Sequence, residues 1–111
     1  MRLQVKGKNV EVTETIKSYA EQKARKLDRQ LHDLTRVEVE LAVERNPSIH
    51  DNHVAEATVW TKGPVLRARE ASADMRASID GVMENLERQV VRYREKRQRG
   101  RRPAGEPGEP A

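Results

Sequence analysis

Residues 36–44, RVEVELAVE, alternate without a break. Val37, Val39, Leu41 and Val43 face one way, and Glu38, Glu40, Ala42 and Glu44 the other. Period two over such a length predicts a strand with one apolar face. A sheet built around it needs one face covered and can leave the other to solvent. Two more strands are predicted behind it, over 53–61 (HVAEATVWT) and 65–71 (VLRAREA). The loop 46–52 and the turn Lys62-Gly63-Pro64 separate them. Ahead of it, Leu3 and Val5 alternate with Arg2, Gln4 and Lys6, a short first strand broken by Gly7-Lys8-Asn9.

The cover comes from two amphipathic helices. Ile16, Tyr19, Ala20, Lys23 or Ala24, Leu27 and Leu31 recur at steps of three and four, with Thr13 as N-cap and Glu14 at the positive helix end. Met75, Ile79, Val82, Met83, Leu86, Val90 and Tyr93 mark a second, longer helix capped by Ser72 or Asp74. From Ala71 to Gln98 it would span about 40 Å and overhang the sheet. The order β-α-β-β-β-α predicts an α+β fold: a four-stranded mixed sheet with both helices packed on one face. A right-handed crossover makes the first strand pair parallel. One domain is expected over 1–98. Residues 99–111 read as a disordered tail or linker, basic at first and then PAGEPGEPA.

The net charge of the 111-residue chain is only +4, but it is unevenly spread. Residues 88–102 carry eight basic side chains and one acidic one, whereas 1–87 are close to neutral. Such a segment points to a polyanionic partner. The absence of Cys excludes a disulfide scaffold, a thiolate metal site and a Cys nucleophile. No run approaches the roughly 20 apolar residues of a bilayer span, and MRLQVKGKNVEV has no apolar stretch of signal-peptide length. A soluble cytoplasmic domain with no membrane role is therefore expected.

Catalysis has little support. Gly7, Gly63 and Gly81 stand alone and form no phosphate loop. His50-Asp51-Asn52-His53 falls short of a metal ligand set, with His32 distant in sequence. Glu38, Glu40 and Glu44 read as a solvated strand face. No enzyme activity, cofactor, metal or small-molecule substrate is expected.

Aromatic residues are scarce: no Phe, one Trp and two Tyr. Only Trp60, out of phase with Ala55, Ala57 and Val59, could offer a stacking platform on the sheet. Tyr19 and Tyr93 fall on apolar helix faces and read as core. Base stacking is thus not the main binding mode, and recognition of structured RNA through phosphates and shape fits better. Arg88, Arg92 and Lys96 recur every four residues, and Arg99 continues the row; Lys23, Lys26 and Arg29 lie three apart. Like charges side by side cost a few tenths of a kcal/mol per pair. A counter-charge outside the chain is the economical explanation. Arg outnumbers Lys 15 to 7, as suits bidentate phosphate contact.

Three stretches carry a family resemblance: LQVKGKNVEVTET from Leu3 to Thr15, Lys26-Leu27-Asp28, and ADMRASIDGVMENLERQVVRYREK from Ala73 to Lys96. The last is similar to an Asp-Met-Tyr-x-Ala-Ile-Asp and Lys-Leu-x-Arg-Gln pattern. Over about 1–98 the chain resembles the hibernation-promoting factor and ribosome-associated inhibitor family of bacteria. The resemblance implies the same β-α-β-β-β-α domain. It implies a monomeric domain bound to small-subunit rRNA of the ribosome, between head and body near the decoding centre. There it would block the mRNA and tRNA path and silence idle ribosomes, as in stationary phase or stress. Family basic positions carry over to Lys8, Lys23, Lys26, Arg29, Arg88, Arg92 and Lys96. Arg76 stands where the family usually has Tyr, and Asn85 where it usually has Lys. With Arg76 and Arg97 added, these basic residues are the candidate RNA-binding set. The tail resembles the start of the interdomain linker of long members, so both a short-form protein and part of a long one stay open. The alternatives are a general double-stranded RNA module, which would begin with a helix, and a protein adaptor with a basic tail.

Overall fold

The chain runs β1 (Arg2–Gly7), α1 (Glu14–Leu31), β2 (Leu34–Val43), β3 (His53–Thr61), β4 (Val65–Ser72) and α2 (Met75–Gly100). The computed structural model describes residues 1–31, 34–46 and 48–100, the side chains of Leu31 and of 96–100 excepted. The tail over 101–111 and His32 lie outside the described residues. No described helix is long and apolar enough to cross a membrane.

The strands lie side by side in the order β1-β2-β3-β4. β1 runs parallel to β2, with Leu3 opposite Val37 and Val5 opposite Val39. β2, β3 and β4 form the antiparallel meander, with Val39 opposite Ala57 and Ala57 opposite Ala68. Alternation sends these residues to the covered face. α1 lies over β1 and β2, and α2 over β3 and β4. The core is closed by Ala20, Ala24 and Leu27 of α1 and by Ile79, Val82, Leu86 and Val90 of α2. Ala24 is the buried residue where the spacing left Lys23 as an alternative. Tyr19 and Tyr93 pack half-buried at the rim of this core, not within it.

Two boundaries differ from expectation. β2 begins at Leu34, with an irregularity before Arg36, and it ends at Val43. There the Asn9 side chain brackets the strand end. Its Oδ1 accepts from the Val43 N–H at 2.9 Å and its Nδ2 donates to the Val43 carbonyl at 2.8 Å. α2 begins at Met75 and not at Ala71, because Ala71 and Ser72 still pair with Val54 and His53. Asp74 is the cap: its carboxylate accepts from the Ala77 N–H at 3.1 Å. The 26 residues of α2 rise about 39 Å, against about 33 Å for the 10-residue β2. Tyr93 already lies at the Gly63 turn that ends the sheet, so the helix beyond it overhangs.

Candidate nucleic-acid interface

The β1-α1-β2 crossover and the β4-α2 connection start both helices at the same end of the sheet. They therefore run side by side, and a groove forms between them. Lys23, Lys26, Leu27 and Gln30 line one wall, and Asp80, Met83, Glu84 and Glu87 the other. Lys23 Nζ sits 3.6 Å from Asp80 Oδ1, and the Tyr19 hydroxyl donates to the same oxygen at 2.5 Å. The Lys23 ammonium and the Arg76 guanidinium both lie over the Tyr19 ring, 5.4 and 5.5 Å from its centre. The hydrogen bond to Asp80, then burial, push the Tyr19 hydroxyl above its ordinary pKa.

This corrects one expectation. Lys23 has a counter-charge inside the chain, so its place in a like-charged row is not by itself a sign of an outside partner. The ion pair is half-exposed and contributes little to stability, so a phosphate can compete for the lysine.

The other cations are freer. Lys26 and Arg29 on α1, and Arg88 and Arg92 on α2, are exposed and form no ion pair among the described residues. Arg88 and Arg92 flank Val91, which is 46% exposed, beside Glu84, Glu87 and Glu95. Lys96 and Arg97 continue α2, but their side chains lie outside those described. Arg76, exposed, belongs with Lys23 towards the start of α2, whereas Arg29, Arg88 and Arg92 sit towards its far end. Lys8 is not brought to either group. It follows β1 at the end of the sheet where both helices start, held by its N–H to the Leu41 carbonyl at 2.8 Å, but on the open-face side. Its side chain borders a hollow on the open sheet face with Asn9, Glu40, Glu56 and Arg69.

Two features were not readable from spacing. Arg94 Nη1 donates to the Gln30 carbonyl at 3.0 Å, which satisfies an end group of α1. Within a basic run nothing marks it off from its neighbours. Glu38 and Glu40 are half-buried and paired, not merely solvated: Lys6 Nζ is 2.6 Å from Glu38 and 3.7 Å from Glu40. Arg36 also reaches Glu38 at 3.0 Å and lies over the Trp60 ring, 4.8 Å from its centre. His50 is exposed beside Asp51, and His53 belongs to β3. Among the described residues no group of three or more His, Cys, Asp or Glu could hold a metal ion.

The profile of the Sigma 54 modulation protein / S30EA ribosomal protein family matches residues 3–98. The chain belongs to this family. A ribosome hibernation promotion factor of Picosynechococcus is 42% identical over 97 residues, 86% of this chain and 50% of the relative. A ribosome hibernation promoting factor of Azotobacter vinelandii is 33% identical over 110 residues, 96% of this chain and 98% of the relative. Our S30EA-family chain thus spans about half the length of the first relative and nearly all of the second. Its fold matches the crystal structure of the N-terminal domain of Thermus thermophilus Protein Y with a TM-score of 0.71 at 32% identity, over 84% of this chain and 99% of that one.

Proposed function

We propose that this domain is a cytoplasmic ribosome hibernation factor. It seats in the mRNA/tRNA channel of the small ribosomal subunit, between head and body near the decoding centre, and keeps idle ribosomes from translating. It acts by occupying space and catalyses nothing. The observation that carries the reading is the family match over 3–98, with relatives named as hibernation factors. The geometry is consistent with it. Lys26, Arg29, Arg88 and Arg92 stand exposed on one layer with no ion pair among the described residues, while residues 1–87 are near neutral. Arg76 and Lys23 add cations at the start of that layer, and Lys96 and Arg97 extend it along α2. Lys8 would reach rRNA only from the open face of the sheet.

The test is co-sedimentation with purified small subunits. The Arg88→Glu, Arg92→Glu double variant should lose binding while its thermal unfolding stays unchanged. Neutralising about six phosphates predicts that log K falls with log salt at a slope of about −5. Retained binding in the variant, or affinity indifferent to salt, refutes the assignment. Equal affinity for a plain RNA duplex would favour a general double-stranded RNA module.

A further inference from the structure

The open face of the sheet holds a second cationic surface, on the side away from the helices. Strand register places Arg2 beside Arg36, Arg36 beside Trp60 and Trp60 beside Val65, in one row across all four strands. Register partners share a face, about 4.8 Å apart from strand to strand. The Arg36 guanidinium lies over the Trp60 ring at 4.8 Å, steadied by Glu38 at 3.0 Å. The next row is Gln4, Glu38, Thr58 and Arg67. Arg2 and Arg67 are exposed and form no ion pair among the described residues. Glu38, the nearest carboxylate, is already shared between Lys6 and Arg36.

The imbalance is local. One row further on, Lys6, Glu40, Glu56 and Arg69 carry two charges of each sign. At the Trp60 end, one half-buried carboxylate, Glu38, lies near three guanidiniums and pairs with Arg36 alone of the three, and Arg2 is the register partner of Arg36. Such a pair is unfavourable without an outside anion. Guanidiniums around a half-buried tryptophan whose ring is stacked with Arg36 form a site for single-stranded nucleic acid. Phosphates meet the cations, and a base stacks on an aromatic ring or on a guanidinium plane. An acidic protein would answer the charges but leave the stacked Arg36–Trp60 plane without a matching partner.

We infer that Arg2, Arg36, Trp60 and Arg67 bind a segment of single-stranded RNA. The site lies across the sheet from Arg88 and Arg92, so one domain can hold two polynucleotide segments at once. It stands on the sheet's own geometry and does not depend on where the domain sits on the ribosome.

Trp60 is the only tryptophan of the chain, so the fluorescence of the intact protein, excited at wavelengths that tyrosine does not absorb, reads this surface alone. Titration with oligouridylate of about ten nucleotides should quench it saturably. Three cation contacts predict a salt slope of about −2. The Arg2→Ala, Arg67→Ala double variant should bind about tenfold more weakly with an unchanged starting spectrum. The Arg88→Glu, Arg92→Glu variant should keep the quench even where it loses small subunits, which separates this site from the helix layer. Anisotropy of a labelled oligonucleotide should show Trp60→Phe binding and Trp60→Ala weakened about tenfold, both with native circular dichroism. Absence of a quench overturns the inference. So does a quench undiminished in the Arg2, Arg67 variant, one lost only in the helix variant, or one matched by oligoglutamate.

Discussion

The hydroxyl of Tyr19 on α1 donates to the carboxylate of Asp80 on α2, 2.5 Å from oxygen to oxygen. The same carboxylate oxygen holds the Lys23 ammonium at 3.6 Å. One acidic side chain therefore ties the two helices together and occupies a lysine that would otherwise face solvent. Stability and polyanion affinity pull on Asp80 in opposite directions.

Asp80→Asn should release Lys23. Binding to small subunits at low salt is expected to tighten about two- to fivefold, the range of an exposed ion pair. A titration series across salt checks this, and unchanged affinity would mean that Lys23 does not face the RNA.

Tyr19→Phe should cost about 0.5–1.5 kcal/mol in urea unfolding at neutral pH. Its pH signature is alkaline. The bond to Asp80 and burial raise the Tyr19 pKa above 10.0 in the folded chain. The stabilisation is thus present below pH 10.0 and is lost as pH rises through the raised value. Unfolding curves on either side of that pH should converge for Tyr19→Phe and the parent chain as the phenol ionises.

Lys6 and Glu38 set slopes at both ends of the pH range. Their mutual hydrogen bond, then their charges, raise Lys6 above 10.5 and hold Glu38 below 4.5. Glu38 stabilises the fold above pH 4.5 and loses this as pH falls through its lowered pKa. Lys6 stabilises below pH 10.5 and loses this as pH rises through its raised pKa. Glu38→Gln should flatten the acid limb of a plot of melting temperature against pH. A variant that follows the parent profile would remove the pair from the account.

Gly7 and Gly63 make a contrast. A Cβ at Gly7 would lie 1.9 Å from the Val10 carbonyl oxygen, and backbone must move to admit it. At Gly63 the nearest atom is the Tyr93 hydroxyl at 2.8 Å, the tip of a side chain and not backbone. Gly7→Ala should lose about 1–3 kcal/mol in urea unfolding and Gly63→Ala distinctly less. Equal losses would show that the β1–α1 connection is looser than its geometry.

Arg92 and Arg94 are two residues apart and should behave oppositely. Arg94→Ala removes the bond to the Gln30 carbonyl and should cost about 0.5–1.5 kcal/mol of stability. Arg92→Ala should change stability by less than about 0.5 kcal/mol but weaken RNA binding. Paired melts and binding titrations separate the two roles.

What the chain revealed in advance follows from periodicity. Burial of one face imposes period two on Val37, Val39 and Leu41 and period 3.6 on Ile79, Val82 and Leu86. The same parity placed Trp60 on the open face. The groove was hidden because Asp80, Glu84 and Glu87 meet Lys23 and Lys26 only through the way the two helices pack. Spacing within one helix carries no record of what lies across from it. The start of α2 was left open between Ser72 and Asp74 for a related reason: Ala71 and Ser72 are claimed by pairing with β3, a long-range contact that leaves the cap to Asp74.

The strand order β1-β2-β3-β4 also bears on how the chain assembles. Each strand pairs with the strand before it, so the sheet can be laid down from the N-terminus as it emerges; the β2-β3-β4 meander closes by short connections, and only the β1–β2 pair must wait for α1 to cross over. α2 is last, and Ala55, Ala57, Val59 and Ala68 have no cover until it docks. A nascent chain halted before α2 would present that apolar strip to its surroundings. The segment with the densest positive charge is thus also the one that completes the fold.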